Sequence, residues 1–94
     1  MKSKRQLAKD IDKFLSEFLA DDERFEELSD NEKLYIYSLF NRILNIIYLQ
    51  LKNPGVCPIL FVHHPKTKQI LDNVFYKISH YLPFVMDIKV TVMH

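Results

Sequence analysis

Apolar residues near the start of the chain recur at three- and four-residue steps. Leu7, Ile11, Phe14, Leu15, Phe18 and Leu19 share one helical face, and Lys9, Asp10, Asp12, Lys13, Ser16 and Glu17 lie largely elsewhere. Ser3 and Gln6 have the spacing of a capping box, so a helix is expected over residues 3–20. The acidic stretch DDERFEEL predicts a short helical turn with Phe25 and Leu28 pointing inward. Ser29 and Glu32 repeat the capping-box spacing and open a second helix, which Asn53-Pro54-Gly55 stops after Lys52.

The second helix carries two apolar seams. Tyr37, Phe40, Leu44, Ile47 and Leu51 form one, and Ile36, Leu39, Ile43 and Ile46 form the other. A helix packed on one side needs only one seam, so this helix is expected to be central or to meet another chain. Residues 56–62 read as a short strand, continuous in apolar residues and so expected to be covered on both faces. Pro58 argues for the beginning or edge of that strand. A third helix is expected over residues 66–82, burying Ile70, Leu71, Val74, Phe75, Ile78, Tyr81 and Leu82, with Pro83 as its stop. The tail VMDIKVTVMH alternates, with Met86, Ile88, Val90 and Val92 on one side, as a half-buried strand does.

The expected fold class is therefore α+β with an α/β-like end, in the order helix, helix, strand, helix, strand. A single domain over residues 1–94 is expected, with a helical part over 3–52 and a β-α-β part over 56–93. A short-looped strand–helix–strand unit makes a parallel pair, and a two-stranded parallel sheet is poor on its own. Completion by another chain is the expectation, as a homodimer with a four-stranded sheet or by packing through the second helix. Ile36, Tyr37, Phe40, Ile43, Leu44, Ile47, Leu51, Ile88, Val90 and Val92 are the interface candidates.

Composition removes several function classes. The one glycine, Gly55, is too few for phosphate-cradling loops, dinucleotide fingerprints or nucleophile elbows. The one cysteine, Cys57, excludes an internal disulfide and is expected to be a small buried residue. The opening MKSKRQLAKDIDKF turns charged before a long apolar run, so no secretory signal is expected there and a reducing, cytoplasmic setting is the default. Residues 34–51 are the most apolar window, but Arg42 near the middle argues against a membrane span. The bias towards Ile, Asn, Lys, Phe and Tyr suits an AT-rich genome, such as that of a phage, plasmid or host-restricted bacterium.

The net charge of +1 hides segregation. Residues 1–13 hold five bases against two acids, residues 17–32 eight acids against one base, and residues 33–94 seven bases against two acids. The acidic belt reads as a solvated connection that also charges a helix start, or else as a docking surface for a basic partner.

The stretch ILFVHHPKTK raises the question of a binding site. Ligands of open α/β sheets bind beyond the carboxyl ends of strands, and a helix N-terminus favours an anion. His63, His64, Lys66, Thr67 and Lys68 stand there, and Lys2, Arg5 and Lys9 share a face that would extend a basic patch if the fold joined them. The plainer reading is a wet strand end. Adjacent strand histidines point to opposite faces, and His80 and His94 lack ligand spacing, so no metal or other cofactor is expected. Cys57 and His63 lie too far apart along a strand for a nucleophilic pair, and no carboxylate pair adjoins a base, so no catalytic residue is assigned.

The leading expectation is a non-enzymatic, homodimeric interaction protein, an inhibitor or adaptor that binds another macromolecule. The alternative is a small nucleic-acid or nucleotide binder using the strand-end site.

Overall fold

A computed structural model of the chain describes residues 3–93, apart from the side chains of Lys4 and Phe84. Helix α1 (Lys4–Ala20) leads into the single turn α2 (Glu23–Glu26), then α3 (Asp30–Ser38) and α4 (Phe40–Lys52). Strand β1 (Ile59–Val62), helix α5 (Pro65–Ile78), a 3-10 turn (Pro83–Asp87) and strand β2 (Lys89–Val92) follow. The fold is helix-rich α+β with a small two-stranded parallel sheet, as the pattern predicts. The register pairs Ile59 with Lys89, Leu60 with Val90, Phe61 with Thr91 and Val62 with Val92.

Helix starts follow local chemistry. Ser29 Oγ accepts from Glu32 N–H at 3.2 Å, and Glu32 accepts from Ser29 N–H at 3.1 Å, a complete capping box. At α1 only half of the expected box forms. Ser3 Oγ accepts from Gln6 N–H at 3.1 Å, but the Gln6 amide donates to Asp10 instead. Pro65 occupies the first turn of α5, where its missing N–H has no helical partner to lose.

The expected second helix is interrupted between α3 and α4. Ser38 Oγ donates to the Tyr35 carbonyl at 2.5 Å, and Leu39 N–H bonds Ile36 O, three residues back, at 3.0 Å. A serine hydroxyl competing for backbone partners tightens one turn there, while Leu39 keeps helical dihedrals. The buried stripe runs between the two seams: Ile36, Leu39, Ile43 and Ile47 enter the core, Phe40, Leu44 and Ile46 are half-buried, and Tyr37 and Leu51 are exposed.

Helix α1 supplies Ile11, Leu15 and Leu19 to the core, α5 supplies Ile70, Leu71, Val74, Phe75 and Ile78, and the sheet supplies Leu60, Val62 and Val90. Each fully buried branched side chain contributes about 1.5–3 kcal/mol over an exposed one. Helices α1 and α5 pack antiparallel: Asp22 meets Asn73, Phe18 lies under the Lys77 ammonium, and Phe14 stacks on Tyr81 with centroids 4.9 Å apart.

Four sequence expectations are corrected. Helix α5 ends at Ile78, and Tyr81 lies beyond it, 62% exposed. Met86 belongs to the 3-10 turn and faces solvent rather than beginning β2. Cys57 is an exposed free thiol, because β1 begins only at Ile59. Most consequentially, β1 is covered on one face only: Leu60 and Val62 are buried, while Ile59 and Phe61 are 48% and 44% exposed.

Candidate interaction surface

The end of β1 does bring His63, His64, Lys66, Thr67 and Lys68 together. His64 is the extended N-cap residue of α5, and its carbonyl accepts from Lys68 N–H at 3.2 Å. Thr67 is buried on the inner side of the first turn. A groove of about 170 Å³ opens there, lined by Asn31, Glu32, Tyr35, His64 and Thr67.

The acidic belt answers the charge at this site. The Glu32 carboxyl is held below its ordinary range, first by the Ser29 backbone N–H and then by the Ser29 side chain, against a smaller opposing effect of desolvation. Lys66 and His64 lower it further by direct charge attraction. Lys68 Nζ pairs with Asp72 at 2.8 Å, one turn along α5. The start of α5 thus has carboxylates of its own chain near its basic residues, Asp72 paired with Lys68 and Glu32 across the groove from His64.

The remaining bases of the expected patch lie elsewhere. The antiparallel α1–α5 contacts place Arg5 and Lys9 towards the far end of α5, on the order of 30 Å along the helix axis from Lys66 at 1.5 Å per residue. Lys2 and His94 lie outside the described residues.

The acidic belt also caps helices. Asp22 is 5% exposed, and its Oδ1 accepts from Arg24 N–H at 2.9 Å and Phe25 N–H at 3.1 Å. Asn73 Nδ2 donates to Asp22 Oδ2 at 3.0 Å, which ties α2 to α5. The groove of about 260 Å³ beside it is lined by Asp21, Asp22, Glu23, Arg24, Asn73 and Lys77, so acids and bases share it.

Of the interface candidates, Ile36, Ile43, Ile47, Ile88 and Val90 are buried within the chain's own core. Phe40, Leu44 and Val92 are half-buried, and Tyr37 and Leu51 are exposed. Tyr37 lies edge-on to both Phe25 and Phe40.

The surface that sequence reasoning missed is the open side of the sheet. Ile59 and Phe61 project there from β1, beside Lys89 and Thr91 of β2, and Met93 continues the row at 46% exposure. Four successive apolar residues in ILFV contain no polar contrast to reveal which face is bare. Strand edges are also open, because the sheet has two strands and no third among the described residues. Lys89 N–H bonds Pro58 O at 3.0 Å and Met93 N–H bonds Val62 O at 2.8 Å, so residues 89, 91 and 93 address β1. Val90 and Val92 consequently turn their backbone groups away from it. On the outer edge of β1, His63 N–H donates to the Tyr35 hydroxyl at 3.2 Å, so α3 occupies that end.

No helix among the described residues is long and apolar enough to cross a membrane. No family model, curated protein or solved structure matches the chain.

Proposed function

We propose that this protein acts by binding rather than by turnover, as a homodimer whose bare sheet face docks a second protein in an inhibitor or adaptor role. The observation that carries this reading is the half-exposure of Ile59 and Phe61 in the middle of a strand. Apolar side chains on a regular, rigid strand supply contact area at little ordering cost, and the backbone edges beside them offer hydrogen bonds to an added strand. A net charge of +1 leaves no large repulsion between copies. The exposed thiol of Cys57 suits a reducing, cytoplasmic compartment.

A polyanion is the less suitable ligand. Glu32 stands beside Lys66 and His64, Lys68 is paired with Asp72, and the bases of α1 lie at the other end of α5. Light scattering on the purified protein, with the 260/280 nm absorbance ratio read on the same peak, tests the proposal. A dimer free of nucleic acid is expected. A monomer at every concentration, or nucleic acid retained at high salt, would overturn it.

A further inference from the structure

The two edges of the sheet differ in what lies beside them. The β1 edge ends under Tyr35, whose hydroxyl takes the His63 N–H. The β2 edge runs beside a groove of about 230 Å³ between α5 and the 3-10 turn, lined in part by Phe75, Val85 and Ile88. Tyr76 and Met86, 56% and 55% exposed, are also on its wall. Apolar surface is therefore continuous with a bare strand edge on this side.

We infer that β2 pairs antiparallel with β2 of a second copy across a two-fold axis at Thr91, making a four-stranded sheet in the order β1-β2-β2-β1. The inference rests on the homodimer reading and specifies its contact. Register follows from which backbone groups remain open. Ile88 N–H already donates to Val85 O at 3.1 Å, so among the described residues of this edge Val90 and Val92 are the ones with both groups outward. The pairing that uses both sets Val90 against Val92 of the second copy, each pair exchanging both N–H···O bonds.

Side-chain chemistry agrees with that register. Val90 and Val92 meet on the core side as β-branched neighbours, and Thr91 meets Thr91 of the second copy, a favourable cross-strand pair. Lys89 falls opposite Met93 rather than opposite its own copy, so like charges are not directly apposed. A lysine on a short edge strand ordinarily discourages pairing, and this register removes the repulsion that would do so. The axis is perpendicular to the sheet, so both sets of helices stay on one side, and each Tyr76–Met86 groove, which includes Ile88 three residues before the axis, lies beside the far end of the other copy's β2. A four-residue edge alone would bury too little for a stable dimer, and a groove at each end of the seam adds apolar surface to it.

Two variants test it, each made with Cys57→Ser. Thr91 of each copy sits in a non-hydrogen-bonded pair with Cα atoms about 4.5 Å apart, within disulfide range. Thr91→Cys is expected to cross-link to a dimer under mild oxidation. Val92→Pro removes an N–H that points away from β1, which an edge strand tolerates, so its helical circular dichroism should persist while its mass by light scattering halves. A wild-type dimer that survives Val92→Pro and fails to cross-link through Thr91→Cys would overturn the β2 contact while leaving the homodimer reading intact. A wild-type monomer would overturn both.

Discussion

Leu60 and Val62 are sealed in the core, while Ile59 and Phe61 of the same strand stand about half exposed. All four are large and apolar, so residue type does not separate them. The difference lies in what the chain has built on each side of the sheet. Helix α5 contacts both strands on one side, and on the other no element among the described residues covers Ile59 or Phe61. A strand of this composition has the sequence of one buried on both faces. Here its second face is bare among the described residues.

Substitutions at closed and open positions should separate that difference by size. Leu60→Ala leaves a cavity in a closed environment and should cost about 2–5 kcal/mol in urea unfolding. Asp22→Ala comes next. It strips the caps of α2 and leaves Asn73 without its carboxylate, for about 1–3 kcal/mol. Ser29→Ala removes half of the exposed capping box and should cost about 1 kcal/mol. Ile59→Ala should change the stability of the isolated chain by no more than about 0.5 kcal/mol, since the residue is 48% exposed. Equal losses at Leu60 and Ile59 would mean that both faces are closed and would end the comparison.

The same contrast can be sharpened by titration. The folded Glu32 carboxyl is lowered relative to the unfolded chain, chiefly by the Ser29 backbone N–H. Its contribution to stability is therefore present above the ordinary glutamate range and is lost as pH falls through the folded value. Carboxyl NMR should show Glu32 titrating below an ordinary glutamate. Ser29→Ala should move it upward only in part, because the backbone bond and the attraction of Lys66 and His64 remain. An ordinary midpoint in the wild type would contradict the capping box at the start of α3.

What was legible in the sequence is what local chemistry decides. Ser29 and Glu32 announce their capping box, Asn53-Pro54-Gly55 stops α4, and Pro65 opens α5. The three- and four-residue steps in α1 locate Ile11, Leu15 and Leu19 as core. The parallel strand pair also follows from the order of elements and the short loops. What was hidden depends on distant partners. Nothing near Glu32 says that its carboxylate will line a groove with His64, and nothing in α1 says that its antiparallel packing will carry Arg5 and Lys9 away from it. Cys57 is exposed because the apolar run begins at Val56 while the strand begins three residues later, at Ile59, a boundary the local sequence does not mark. Ser38 carried a weak signal for the α3–α4 interruption, since serine in a helix interior often bonds a carbonyl one turn back, but the surrounding apolar seams outweighed it.

Strand β2 offers the most direct test, because its alternate amides report two different partners. Thr91 and Met93 N–H groups face β1 within the chain, and Val90 and Val92 N–H groups face outward. Amide hydrogen exchange followed by NMR at high protein concentration reads all four at once. The account predicts slow exchange at Val90 and Val92 as well as at Thr91 and Met93, with the protection of the two valines falling on dilution. Protection at Thr91 and Met93 beside free exchange at Val90 and Val92, at every concentration, would show that the β2 edge meets water and that no second copy completes the sheet there.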